Sequence, residues 1–237
     1  MKAKRALITL AAGMLAGALM IGGTMAYLSD TETATNTFTV GNVDVELKEP
    51  DYPGNEDEKV KNQVPNQETD KNPQVTNTGA NEAVVFLTVS VPVKTITPVT
   101  DDGKKGTKGA SELFTFKLKS DGAGVHSNHF SSKLVELPAK ETGTDLKGTT
   151  RTYVFGYKTT VAPKATTEAL FDKIQLKNFL EAEITPGQPL DIDIKAYAIQ
   201  ADNIVSGGTM VNTDGDLSAE TLGKIYDAYV AQNSSGK

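Results

Sequence analysis

Cysteine and tryptophan are absent from this chain of 237 residues, and histidine occurs only twice. Without cysteine there is no disulfide frame, no thiolate nucleophile, no Cys-ligated zinc or iron–sulfur cluster and no lipidated N-terminal cysteine. Cations are also in the minority, 24 Lys+Arg against 30 Asp+Glu, for a net charge of −6. An acidic surface is a poor partner for phosphate backbones or anionic membranes, so no nucleic acid is expected among the partners. Hydrophobic residues make up 38 %, which suits a β-rich fold with long polar loops better than a large helical core. Beyond the first two dozen residues no apolar run is long enough to span a bilayer.

That first segment reads as an address. Lys2, Lys4 and Arg5 form a positive start, Ala6 to Ile21 is uncharged and apolar, and Thr24-Met25-Ala26 places small residues where a signal peptidase cuts. The expectation is a signal peptide over 1–26, cleaved between Ala26 and Tyr27, and one domain over 27–237. The 211 residues left of 237 after removal of those 26 carry 21 cations against 30 acids, a net charge of −9. The product is expected outside the cell, in an extracellular matrix or at the cell surface, with no membrane attachment after cleavage.

The remainder reads as strands separated by turns. Phe38 and Val40 alternate with Thr37 and Thr39. After Gly41-Asn42, Val43, Val45 and Leu47 alternate with Asp44 and Glu46. Residues 48–73, rich in charge and carrying four prolines, read as a solvated loop. Ala83 to Val91 is apolar on both faces, which predicts a central strand closed by Pro92. Phe114, Phe116 and Leu118 predict a half-buried strand, residues 134–137 a short one, and Tyr153, Phe155 and Tyr157 one face of another. A helical turn is expected around Glu168–Phe171. Leu190 to Gln200 is the cleanest alternation, with Asp191, Asp193 and Lys195 outward. Only the end is helical: Leu222, Ile225, Tyr226 and Tyr229 fall at i, i+3, i+4 and i+7, with Asp216 or Ser218 as N-cap. Short strands without β–helix–β alternation predict an all-β antiparallel sandwich with polar loop insertions and a short C-terminal helix.

Few constellations invite chemistry. His126 and His129 lie in a Gly/Ser/Asn-rich stretch that predicts a loop, and no His-Glu-x-x-His occurs, so a zinc protease of that type lacks its ligand pair and its base. Asn212 to Glu220 offers oxygens at alternate positions, but Leu217 and Gly223 stand where a calcium loop of the EF-hand kind needs Gly and a bidentate acid. An acidic turn capping the final helix is the simpler reading. Asp191 and Asp193 share the solvent face of a strand. No serine sits in a nucleophile elbow and no glycine-rich phosphate loop opens a helix. No catalytic residue, cofactor or metal ligand is assigned.

The segments Gly22 to Thr31 (GGTMAYLSDT) and Ala34 to Val43 (ATNTFTVGNV) are similar to the start of the TasA/camelysin family of Gram-positive secreted proteins. The resemblance continues through Val64 to Gln67, Lys71 to Pro73, Val75 to Gly79, Tyr153 to Tyr157, Leu170 to Lys173 and Leu190 to Gln200. It implies a jelly-roll-like sandwich, export through a SipW-type signal peptidase, and biofilm matrix fibres. In those fibres the N-terminal segment of one subunit completes the sheet of the next, a head-to-tail homopolymer. On this chain the assembly segment begins at Tyr27 and Leu28 and presents Phe38 and Val40 as alternate side chains able to fill pockets. The other reading makes Tyr27 to Leu47 the first strand of its own sandwich. Both stay open for 27–36, while 43–47 reads as part of its own fold. The metallopeptidase activity in the family's second name has no zinc motif to rest on here, and a monomeric surface adhesion module is a further alternative.

Overall fold

The computed structural model describes residues 42–122 and 124–234. Their strands are β1 (Val45–Lys48), β2 (Glu68–Asp70), β3 (Gln74–Asn77), β4 (Ala83–Ile96), β5 (Gly109–Glu112), β6 (Phe114–Lys117), β7 (Leu134–Glu136), β8 (Thr150–Tyr157), β9 (Lys173–Leu176), β10 (Asp193–Gln200), β11 (Val205–Ser206) and β12 (Thr209–Met210). Two helices join them, α1 (Glu58–Lys61) and α2 (Ala219–Ser234). Every strand pair among them is antiparallel. The expected all-β sandwich is what forms.

One layer runs β10-β4-β8-β7, with β5 paired to the far end of β4. The other is built from two pieces, β1-β3 and β2-β9-β6. Residues 165–172 run antiparallel to 71–77 and join the pieces: Thr167 N–H donates to Val75 O (2.9 Å), Leu170 N–H to Pro73 O (3.1 Å) and Lys71 N–H to Asp172 O (3.0 Å). Val75, Phe116, Ile174 and Leu176 of this layer meet Val85, Leu87, Val89, Tyr153 and Phe155 of the first in one core.

The two-sided apolar character of β4 has a simple cause. Its Val85, Leu87, Val89 and Val91 face that core, while Val84 and Phe86 face α2 across the outer surface of the sheet, against Leu222, Ile225 and Ala228. Ser218 caps the helix, accepting from Thr221 N–H (3.1 Å). Asp216 does not. Close approach of α2 depends on Gly156 of β8, where an added Cβ would lie 2.9 Å from both methyls of Leu222. Gly156→Ala is expected to cost about 1–3 kcal/mol through overpacking, read by thermal denaturation. Leu222→Val in the same chain should recover part of the loss.

Several expectations are corrected. Pro92 does not close β4. Its carbonyl accepts from Leu113 N–H (3.0 Å), and Val93 N–H on the opposite edge donates to Thr149 O (2.8 Å). The edge lacking an N–H at Pro92 therefore falls in the gap between β10, which ends opposite Ser90, and β5, which starts opposite Val93. The loop read over 48–73 contains α1, β2 and the buried Lys71 and Asn72. β6 is covered on both faces, because Lys117 lies buried with its ammonium on Glu68. No helical turn forms at 168–171, whose backbone instead pairs with 73. β10 starts at Asp193, three residues later than read. The β11–β12 hairpin turns on Gly207 and Gly208, both at positive φ (58° and 79°).

Candidate functional site

An antiparallel sandwich must finish each layer somewhere, and two of these ends lie side by side. β10 pairs with β4 from Asp193↔Ser90 to Gln200↔Ala83. On its other edge no strand is paired among the described residues. β1 likewise pairs only with β3, from Val45↔Asn77 to Lys48↔Gln74. Facing the core from these two edges are Val43, Val45 and Leu47 on one side and Ile192, Ile194, Ala196 and Ala198 on the other, all partly exposed.

The strip between them holds two clefts. One, of about 300 Å³, is lined by Leu47, Glu49, Lys71, Ile192, Asp193 and Ile194. The other, of about 510 Å³, lies between Val43, Ala198, Gln200, Asn203 and Tyr229. Lys71 forms the floor of the first: its ammonium is bonded to Glu49 (2.8 Å) and sits 4.4 Å from the Tyr52 ring centre. Burial, and then the Glu49 charge, push the Tyr52 hydroxyl above its ordinary value.

The start of β1 is fixed by the Val75–Gly79 segment. Asn77 is fully buried and donates to Asn81 O and Val161 O (2.8 Å each) while accepting from Gly79 N–H (3.0 Å). Gly79 then passes close beneath the chain, where a Cβ would stand 2.6 Å from Asn42 O. Segment 43–47 is therefore held by its own fold, as read. Ala26, Tyr27, Leu28, Phe38 and Val40 lie outside the described residues.

The remaining sequence candidates fall apart from one another. His126 and His129 are on a loop, as expected, and turn to different acids, Asp101 (2.9 Å) and Asp121 (2.8 Å). Asn212 to Ser218 is a largely exposed turn around buried Leu217 that leads into the first residues of α2, and Asn212 Oδ1 is taken by Asp214 N–H (2.8 Å). Asp191 and Asp193 are exposed, with Asp193 paired to Lys195 (3.1 Å).

Sequence reasoning missed a buried charge cluster. Glu112 accepts from Arg151 Nη1 (2.7 Å) and from the Tyr153 hydroxyl (2.7 Å); Arg151 Nη2 donates to Glu141 (3.2 Å). The guanidinium also lies 4.1 Å from the Tyr153 ring centre, and Asn128 Nδ2 donates to the Tyr153 oxygen (2.8 Å). Burial, and then Glu112, push the Tyr153 hydroxyl well up. Burial, and then neighbouring Glu136, push Glu141 up to about 7. A signal was present: Arg151 stands two residues before Tyr153, so it extends an inward aromatic face and must find buried acids there.

The model of the camelysin metallo-endopeptidase family matches residues 2–162. The chain belongs to that family. Comparison with curated proteins and with solved structures gives no significant match. A metallo-endopeptidase needs a metal-donor set, and the described residues of this camelysin-family chain do not fit one. Among the described residues no three His, Asp or Glu side chains are grouped so as to hold a metal ion, and the two histidines are engaged by separate acids. No catalytic step is derived through a metal here.

Proposed function

We propose that this camelysin-family chain is a secreted structural protein that self-associates into extracellular matrix fibres. Its N-terminal segment from Tyr27 to Val40 adds as a strand to the open edge of the next copy. The observation that supports this reading is the strip between β1 and β10, where among the described residues neither strand is paired on its outer edge and the apolar side chains facing the core stay partly exposed. An extended segment gains affinity from main-chain hydrogen bonds along such an edge, and alternate side chains such as Phe38 and Val40 fill pockets. A head-to-tail contact of this kind does not close on itself, so it propagates as a filament. Cleavage between Ala26 and Tyr27 by a SipW-type signal peptidase frees the segment and starts assembly outside the cell.

The test compares protein beginning at Tyr27 with protein beginning at Val43, by negative-stain electron microscopy and size exclusion, with circular dichroism confirming that both fold. Filaments from the longer form alone are the expected result. Folded monomers from both would remove strand donation and favour a surface adhesion module. The family's name gives the second reading, a metallo-endopeptidase; stoichiometric zinc and chelator-sensitive proteolysis in the purified protein would support it.

A further inference from the structure

The loop that follows β6 brings three side chains into a serial arrangement. His129 Nδ1 lies 2.8 Å from Asp121 Oδ1, and His129 Nε2 lies 3.1 Å from Ser127 Oγ. A carboxylate only accepts, so Nδ1 carries a ring proton, and in the neutral form of the ring Nε2 is the acceptor for the Ser127 hydroxyl. We propose that Ser127, His129 and Asp121 form a serine-type acyl-transfer site that hydrolyses small activated esters. This proposal is independent of fibre assembly.

Backbone bonds fasten His129 and Asp121 to the end of β6. His129 N–H donates to Phe116 O (2.9 Å), and Asp121 N–H donates to Leu118 O (3.0 Å). The second Asp121 oxygen accepts from Leu118 N–H (2.8 Å). Asn128, between Ser127 and His129, is tied at both ends of its amide, accepting from Phe116 N–H (3.2 Å) and donating to the Tyr153 hydroxyl (2.8 Å). Burial of Asp121 works against its charge, but the bonds from His129 and Leu118 outweigh this and hold the carboxyl below its usual range. Asp121 thus acts through His129, as a positioning residue. Ser127 is exposed, and the His129 side chain is 42 % exposed. The matching substrate has a short acyl chain and a good leaving group, and needs no deep acyl pocket.

The chemistry balances without a cofactor. Ser127 Oγ attacks the ester carbonyl carbon as its proton passes to His129 Nε2, and the carbon–oxygen bond to the leaving alcohol breaks. His129 gives that proton to the departing oxygen, leaving an acyl-Ser127 ester. Water then attacks the acyl carbon, loses a proton to His129, and the carboxylic acid departs as the proton returns to Ser127.

The test treats the full chain from Tyr27 with a fluorophosphonate probe and locates the adduct by peptide mass, alongside hydrolysis of p-nitrophenyl butyrate. One adduct on Ser127 is expected, lost in Ser127→Ala, slowed at least 100-fold in His129→Gln and at least 10-fold in Asp121→Asn. Asp121→Glu should restore part of the rate lost in Asp121→Asn. Labelling should be indifferent to chelator, unlike a metallo-endopeptidase. Folded protein without a Ser127 adduct, or equal labelling in His129→Gln, would overturn the proposal and leave these bonds as ties that order the loop.

Discussion

Arg151→Met is expected to lower stability by about 3–5 kcal/mol, the usual loss when one member of a buried ion pair is removed. The side chain of Glu141 is 1 % exposed and that of Glu112 is 7 % exposed. With the guanidinium gone, Glu141 is left beside Glu136 without its cation, and Glu112 keeps only the Tyr153 hydroxyl and the charge of nearby Lys177. They must take up protons or draw in water. The Tyr153 ring also loses the cation lying over it. Urea denaturation at pH 8 measures the effect, and the deficit should shrink at pH 5, where the acids protonate more readily. Arg151→Lys should fall between, since one ammonium cannot reproduce two separate guanidinium bonds. A loss below about 1 kcal/mol at pH 8 would show that solvent reaches the acids and that the cluster is not electrostatically closed.

Much of the framework was legible in the sequence because it rests on local periodicity. Tyr153, Phe155 and Tyr157 alternate, so β8 follows directly, and the i, i+3, i+4, i+7 spacing of Leu222, Ile225, Tyr226 and Tyr229 gives α2 and its buried face. What escaped depends on non-local pairing. β2 is three residues long and becomes a strand only because β9 lies beside it. Pro92 is tolerated only because two partner strands leave a gap at that point. Lys117 alternates like a solvent-facing residue, and its burial is decided by Glu68, 49 positions away. The same holds for the sites. No spacing rule links Glu112, Glu141 and Arg151, and none marks the edge of β10 as open. The Ser127–His129–Asp121 relay also lacks a motif, since it arises from how one loop folds back on β6.

Raising the pH from about 4.5 to 8 should weaken the fold through Glu141 alone. Its folded value is pushed up to about 7 from an ordinary 4.5, so in that interval the folded state holds a proton that the unfolded chain has released. Stability therefore falls with pH, being fully present below about 4.5 and lost above about 7. A displacement of that size corresponds to at most about 3 kcal/mol. The groups that face this carboxyl fix the sign: burial and Glu136 favour the proton, and Arg151 opposes it by donating to the same side chain. Glu141→Gln keeps an acceptor for Arg151 but carries no charge at any pH. The variant should match the parent near pH 4.5 and exceed it at pH 8, by roughly 6–12 °C in Tm for a domain of this size. Titrating groups away from this pair are common to both proteins, so the difference between the two melting curves reports Glu141 together with the Glu136 beside it. A difference that stays flat from pH 4.5 to 8 would mean that Glu141 is ionised throughout, with Arg151 rather than burial governing it.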